Sequence, residues 1–593
     1  MKIKSEEIVV NFIINFFCKN KKIIFSLIIF ILVFCVLGLP FTKWGFSTVD
    51  DFPVFLHSQI TSLKNIFLGD ISAWDVLAPY NFDIPKETSF FSAYYRPMMF
   101  LSYYIGSIFW GDSAYGHFLF TIFLHALNSV ILFNIFSSIC SYLIAFLISM
   151  FFAFNPSYAD WIGWIAAQQY IMGLFFLLIS ILFFKNFLDK KKLIYFALSG
   201  LFYLLTILGK EVLIIFPIIA FFGAYLYETK HLDIKIFGVI KNIFRYLFLT
   251  LNYWIALLIY FCLRAYIFSI NFGQASSGNL PNITSIYFFL KAKIYYLFVI
   301  LTDLFGLWFV PWGCPKIKLL IYLIIFFIFI WLFIKSSQKI ILIYCLFSIT
   351  ILWWPIILGY YSRYLYESIP FVCLYFLFGI KFYSGNISTL LKKLFIYLFC
   401  FYLFINTFYL FINIKFREKN FFIINRAFNL LAYNPNLKNR NLCFIGVPSK
   451  FSPGCERAIS LKNKNYSTVI LHDLDLVSCI SGKTWKMQEI FGVKIKHYFD
   501  ANEFLENNFL EIEKIKNGFR FVSSNPEKIW FIKRDLSGGY LPVGIAILNK
   551  VTKNNKICDA SLIINNRWIK LNPVFITWDY KNQKFKILGE LNA

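Results

Sequence analysis

Apolar runs of about twenty residues recur from Lys22 to Lys415. That is the length at which a helix crosses the hydrocarbon core of a bilayer. The first run, residues 23–40, follows Lys2, Lys4, Lys19, Lys21 and Lys22 and stops at Gly38-Leu39-Pro40. It is too long for a signal-peptide core and lacks a small-residue cleavage site, so it reads as a retained first span entered from the cytoplasm. Residues 41–95 follow as a polar-aromatic loop. Its spaced apolar positions (Phe55, Ile60, Leu63, Ile66, Phe67) predict interfacial helices lying on the membrane. Residues 94–118 read as an interfacial or re-entrant helix interrupted at Gly111. Further spans are predicted near 115–137, 141–155, from Trp164 to Phe187, 193–208, from Lys210 to Tyr227, and 245–268.

Charge orients these spans. With the N-terminus inside, the lysine-rich segments 188–192 and 228–245 are cytoplasmic, and the uncharged segment 269–285 is external. Residues 286–312 are ambiguous. Kept on the external side, they let spans at 317–334, 339–358, 364–380 and 394–414 alternate with Lys335, Lys339, Lys381, Lys392 and Lys393 all inside. The fold expected for residues 1–416 is therefore a polytopic all-α membrane domain of about 11 spans, with roughly 10 to 13 allowed by the ambiguity. Its first external loop covers 41–114.

From residue 417 the pattern changes. Asn, Lys and Asp become frequent, and short alternating runs predict strands at Leu442–Val447, Thr468–Leu471, Phe519–Val522, Ile529–Ile532, Ile563–Ile569 and Val574–Trp578. Residues 417–593 are read as a mixed α/β soluble domain on the extracytoplasmic side. The expected location is thus a cell membrane, crossed many times.

Composition agrees with this pattern. The 593 residues are 59% hydrophobic, with a mean hydropathy of +0.66, which a soluble chain of this length does not carry. The net charge of +26 raises nucleic-acid binding as an option. The Lys and Arg residues lie mainly in short inter-span loops, however, where they set orientation and attract anionic lipid headgroups, so nucleic acid is set aside. The 12 cysteines include no CxxC pair and offer no metal-ligand spacing.

The chemistry-bearing residues stand at span ends. STVDDFPVF, residues 47–55, places Asp50 and Asp51 just past the first span. A helix cap accounts for one aspartate; two suit a general base beside a bilayer, with the partner holding substrate or a cation. Asp160, in NPSYADWIGW, falls on the same external side. Asp51 and Asp160 are oxygen donors of the kind that a divalent cation such as Mg or Mn takes. Arg96, Lys210 and Arg363 are cations at external span ends. Each alone is explained by snorkelling; together beside three acids they fit a phosphate site. Glu211 can orient or neutralise Lys210. His117 and His125 lie two turns apart on one span and read either as hydrogen-bonded packing or as substrate-cavity groups.

The order of these features resembles a known superfamily. DD in the first external loop is followed by YRP and an LS segment, then GHF and LHALNSV, NPSYADWIGWIAA, LLTILGKEVLIIFP and, much later, SRYLYESIPF. This series, covering residues 22–380, resembles the GT-C superfamily of polyprenyl-phosphate-sugar glycosyltransferases. It is closest to the transmembrane and tetratricopeptide-repeat O-mannosyltransferases, though without the repeats. Protein O-mannosyltransferases and aminoarabinose transferases resemble it more distantly.

The resemblance implies inverting transfer of a sugar from a polyprenyl-phosphate donor to a protein, lipid or glycan acceptor on the non-cytoplasmic face. By position, Asp50 or Asp51 matches the catalytic acid and Asp160 the second-loop acid. Lys210-Glu211 and Arg363-Tyr364 match donor-phosphate contacts. Two departures stand out. The second-loop acid is usually Glu after His-Pro, whereas here Asp160 follows Asn155-Pro156. Gln168-Gln169 replace a basic-acidic pair, which makes them candidate cavity residues with altered chemistry. The alternatives are a lipid-linked-sugar transporter or flippase, which would show broken helices and mid-membrane charge, and an inactive scaffold of the same build.

Overall fold

A computed structural model of the chain describes residues 20–45, 63–68, 96–111, 113–160, 162, 164–229, 242–268, 324, 327–352, 365–382 and 389–432. Beyond these it describes eight strands between Leu442 and Gly589. Asp50, Asp51, Arg363 and Tyr364 lie outside the described residues, as do most of the first external loop, segment 286–312 and the predicted strand 529–532. The chain divides into two units: Met1–Thr42 with Ser62–Ile71 and Ala93–Arg417, and Lys43–Thr61 with Ser72–Ser92 and Glu418–Ala593.

The described residues of the first unit are mostly helical. Its helices are α1 (Lys21–Leu37), α2 (Leu63–Leu68), α3 (Pro97–Trp110), α4 (Ala114–Phe136), α5 (Tyr142–Ala153), α6 (Gln168–Lys190), α7 (Leu193–Gly209), α8 (Phe216–Glu228), α9 (Ile243–Leu249), α10 (Leu251–Phe268), α11 (Lys339–Leu352), α12 (Ile369–Lys381) and the part up to Arg417 of α13 (Thr389–Ala432), whose remaining residues belong to the second unit. Short 3-10 turns at Pro156–Asp160, Ile165–Ala167 and Glu211–Ile215 join the helices at the polar ends.

Local chemistry sets these boundaries. Gly111 takes a φ of +54° and stops α3, a conformation that costs glycine little. Ser113 then caps α4 by accepting from the Gly116 amide. Pro97, Pro217 and Pro370 stand in the first turns of α3, α8 and α12, where a missing amide hydrogen is harmless. Pro370 therefore delays the span predicted from residue 364 until Ile369.

The described burial pattern suits lipid. Apolar side chains such as Ile23, Leu27, Ile108, Phe109, Leu193, Phe244 and Phe248 face outward. His125, Asn128, Lys210 and Glu367 are buried. A soluble protein does not expose so much apolar surface, whereas in a bilayer polar groups must find partners inside. Among the described residues, four helices are long and apolar enough to cross: Ala114–Phe136, Gln168–Lys190, Glu211–Glu228 and Ile396–Lys419. A fifth is reached if the bent pair α9–α10 counts as one span. Shorter apolar helices, including Leu193–Gly209 and Ile369–Lys381, accompany them.

Two further helices differ from expectation, and the strands Leu510–Ile515, Gly544–Val551 and Lys584–Gly589 are not among those predicted. The single span predicted at 245–268 is broken at Thr250, with α9 and the following helix bent by 64°. Thr250 Oγ1 donates back to the Tyr246 carbonyl at 2.9 Å, and the next turn is held by Asn252 Nδ2 donating to the Phe196 carbonyl at 3.2 Å. Hydroxyl back-bonding of this kind bends helices. The span predicted at 394–414 belongs to a helix that runs on through Lys415, Arg417 and Glu418 to Ala432.

In the second unit, the described residues beyond Ala432 are all strand: β1 (Leu442–Phe444), β2 (Ile470–His472), β3 (Leu510–Ile515), β4 (Gly518–Ser523), β5 (Gly544–Val551), β6 (Ile557–Ile564), β7 (Val574–Asp579) and β8 (Lys584–Gly589). They form two four-stranded sheets, ordered β2-β1-β7-β8 and β3-β4-β6-β5. In the first, β1 pairs parallel with both β2 and β7, and β7 pairs antiparallel with β8. The second is antiparallel throughout.

Candidate functional site

The membrane unit buries its charge where helices end. Arg96 stands immediately before α3, and the fixed geometry of Pro97 starts that helix one residue later. Lys210 leaves α7 in an extended conformation (φ −152°, ψ 110°), and Glu211 opens the 3-10 turn that leads into α8. These breaks bring residues 115 positions apart together. Arg96 Nε donates to Glu211 Oε2 at 2.6 Å, and Arg96 Nη2 pairs with Glu211 Oε1. Lys210 Nζ lies 3.7 Å from the same Oε1 and 4.3 Å from the centre of the Tyr170 ring in α6. The Lys210 side chain is only 2% exposed, that of Arg96 13% and that of Glu211 19%. Gly173 of α6 lies beside Lys210, where a Cβ would be in ordinary contact with Lys210 Cβ at 3.4 Å.

A bidentate guanidinium–carboxylate pair is the strong form of this contact, and burial removes the screening that weakens it in water. Two cations thus share one carboxylate. α10 adds a further charge: Arg264 Nη1 donates to Tyr260 Oη at 3.4 Å, and Tyr260 sits in the field of both Glu211 and Arg96.

A second polar group adjoins the first turn of α6. Asn128 Nδ2, on α4, donates to the Ile171 carbonyl at 2.9 Å and to Tyr366 Oη at 3.0 Å. His125, one turn earlier, binds Tyr366 Oη through Nδ1 at 3.0 Å and the Ala153 carbonyl through Nε2 at 2.9 Å. Tyr158 packs edge-on against both the His125 and Tyr366 rings. His125 is thereby a hydrogen-bonded core residue tying α4 to α5 and to the turn before α12. His117 is packed between the rings of Tyr103 and Trp110. Its ring occupies the place a Cβ of Gly106 would take, with Cε1 only 2.3 Å away.

Glu367 follows Tyr366 and is 1% exposed. Neither of its carboxyl oxygens has a hydrogen-bond partner among the described residues, and the charges of Lys210 and Glu211 act on it. Gln168 and Gln169, which begin α6, are buried too; both amide atoms of Gln168 and Oε1 of Gln169 are unpartnered among the described residues.

Of the residues singled out from the sequence, Arg96, Lys210 and Glu211 are brought into direct contact, and Gln168-Gln169 lie one residue from Tyr170, on which Lys210 rests. Asp160 ends the 3-10 turn Pro156–Asp160; only its backbone is described. The donor set for Mg or Mn is not assembled among the described residues, where no group of three or more His, Cys, Asp or Glu is placed to hold a metal, and Asp51 lies outside them. Glu367, Asn128, Tyr366 and Arg264 were not foreseen. For Glu367 and Arg264 the signal was present, as single charges within apolar sequence.

No protein-family model matches the chain, and no curated protein matches it.

Proposed function

We propose that this protein is an integral membrane glycosyltransferase that moves a sugar from a polyprenyl-phosphate donor to an acceptor hydroxyl or amine. The carrying observation is the buried contact of Arg96, Lys210 and Glu211 inside an apolar helical unit. Two cations held there by one carboxylate are preorganised for an anionic group that cannot be solvated by lipid. Preorganised charge aimed at a leaving group is a large term in catalysis.

In the proposed reaction the acceptor attacks the anomeric carbon as its bond to the phosphate oxygen breaks, which inverts the centre. Asp50 or Asp51 takes the acceptor proton. The electron pair leaves on the polyprenyl phosphate, whose added negative charge Arg96 and Lys210 stabilise, with Arg363 and Tyr364 as further donor contacts. Phosphate leaves without much acid help, so one base and the cationic clamp suffice. The orientation that serves this chemistry has the N-terminus in the cytoplasm, about 11 spans and an extracytoplasmic C-terminal α/β domain.

A second reading, a carrier of the same lipid-linked sugar, is favoured by one feature, the 64° break between α9 and α10, since transporters use broken helices beside charge. Both readings are tested in proteoliposomes holding the purified full chain and a labelled polyprenyl-phosphate sugar. Label arriving covalently on an acceptor is expected. Label that only changes leaflet, still on its lipid, would replace transfer by transport.

A further inference from the structure

Unpartnered buried polar atoms concentrate around the first turn of α6. Gln168 (1% exposed) has neither its carbonyl oxygen nor its amide nitrogen paired, and Gln169 (8% exposed) leaves its carbonyl oxygen unpaired, among the described residues. Asn128 donates its nitrogen to Ile171 and Tyr366 and keeps Oδ1 unpaired among the described residues. Glu367, next to Tyr366, keeps both oxygens unpaired among the described residues. Residues 170 and 171 of the same turn bridge these groups, through Lys210 over the Tyr170 ring and Asn128 on the Ile171 carbonyl. A buried amide or carboxyl left without partners costs free energy, and native proteins leave few such groups without a reason.

The unmet inventory is one amide nitrogen, three amide oxygens and one carboxyl, a set of acceptors with a donor among them. A divalent anion does not suit it, because acceptors dominate. An apolar chain does not suit it either. A ring bearing several hydroxyls does, since each hydroxyl donates to one acceptor and accepts from one donor. We infer that Gln168, Gln169, Asn128 and Glu367 form a pocket for the sugar ring of the donor, adjoining the Arg96–Lys210 cluster that receives its phosphate. This rests on the proposed function and adds to it the groups that recognise the sugar. It also gives a reason for neutral amides at positions 168 and 169, since they bind hydroxyls without a net charge.

The test compares two lipids on the full chain in nanodiscs: a short-chain polyprenyl phosphate, and the same lipid carrying a glucosyl, mannosyl, galactosyl or arabinosyl group. At least one glycosylated lipid is expected to bind more tightly than the bare one. Gln168→Leu and Gln169→Leu are each expected to weaken that lipid at least about tenfold, as a site built to hydrogen-bond loses when a polar partner is removed. They should leave the bare lipid's Kd unchanged and the ligand-free melting temperature unchanged or raised. Variants that bind every lipid as wild type does would overturn the pocket, leaving bound water as the amides' partner. So would a lower melting temperature with equal loss of both lipids, which marks a structural role. Bare lipid bound as tightly as every glycosylated one removes the sugar pocket and spares the phosphate site; no binding of either lipid removes both.

Discussion

Replacing Asp50 and Asp51 together by Asn is expected to cut sugar transfer at least about a hundredfold, the usual contribution of a positioned general base. Asn keeps the size and hydrogen-bonding shape of Asp but cannot take up the acceptor's proton. The phosphate leaves without protonation, so the proton taken from the acceptor is the one transfer that the reaction asks of a side chain. In the proposed orientation both residues belong to the external loop after the first span, where a neutral isostere is expected to cost little stability. The melting temperature and the binding of polyprenyl phosphate should therefore stay as in wild type. Of the single variants, one is expected to carry most of the loss and so identify the base. The check is initial-rate transfer of labelled sugar by each variant at matched protein levels. A double variant with full activity removes these aspartates from the mechanism.

The second large effect concerns stability. Glu211→Ala is expected to destabilise the membrane unit by about 3–5 kcal/mol, the range found when one partner of a buried ion pair is removed. The sign follows from the geometry. Glu211 is bonded to Arg96 through both oxygens and is 3.7 Å from Lys210. Its loss leaves two neighbouring cations that are only 13% and 2% exposed. Their mutual repulsion adds to their desolvation. Arg96→Met combined with Glu211→Met should be milder than Glu211→Ala, because it leaves one cation rather than two, and Lys210 keeps its contact with the Tyr170 ring. Denaturant unfolding of the detergent-solubilised full chain measures both. A Glu211→Ala protein within about 0.5 kcal/mol of wild type, the range of ordinary surface substitutions, would show that the cluster is not the electrostatic anchor described here.

Much of the helical unit could be read from apolar run length, because lipid admits few alternatives to a helix. Gly111 marked a helix end by its own backbone freedom, whereas the start of α12 at Ile369 was set by Pro370 inside a run that hydropathy read as continuous from 364. Arg96, Lys210 and Glu211 stood out because charge is rare in such sequence. What the sequence could not supply was their pairing, since the Arg96–Glu211 contact depends on how α3 packs against the α7 end. The break at Thr250 was hidden for the same reason: its neighbour Asn252 bends the chain toward the Phe196 carbonyl on another helix. The length of α13 was underestimated because hydropathy sees only its apolar stretch, while Lys415, Arg417 and Glu418 continue a helix as readily as Leu does. Strands β3 and β8 (LEIEKI and KFKILG) were passed over because their charged alternate positions masked a period-two pattern. Glu367 is not singled out by its sequence because it stands four residues from Arg363, which reads as its neutralising partner on a span end.

In the proposed function a lipid-borne phosphate sits against the Arg96, Lys210 and Glu211 cluster. Native mass spectrometry of the purified full chain, offered equimolar polyprenyl phosphate and the matching uncharged polyprenol, measures this most directly. The chain lengths are equal, so the comparison isolates the phosphate from the apolar tail. At least about tenfold preferential retention of the phosphate lipid is expected, equivalent to about 1.4 kcal/mol. Equal retention of the two lipids would contradict it.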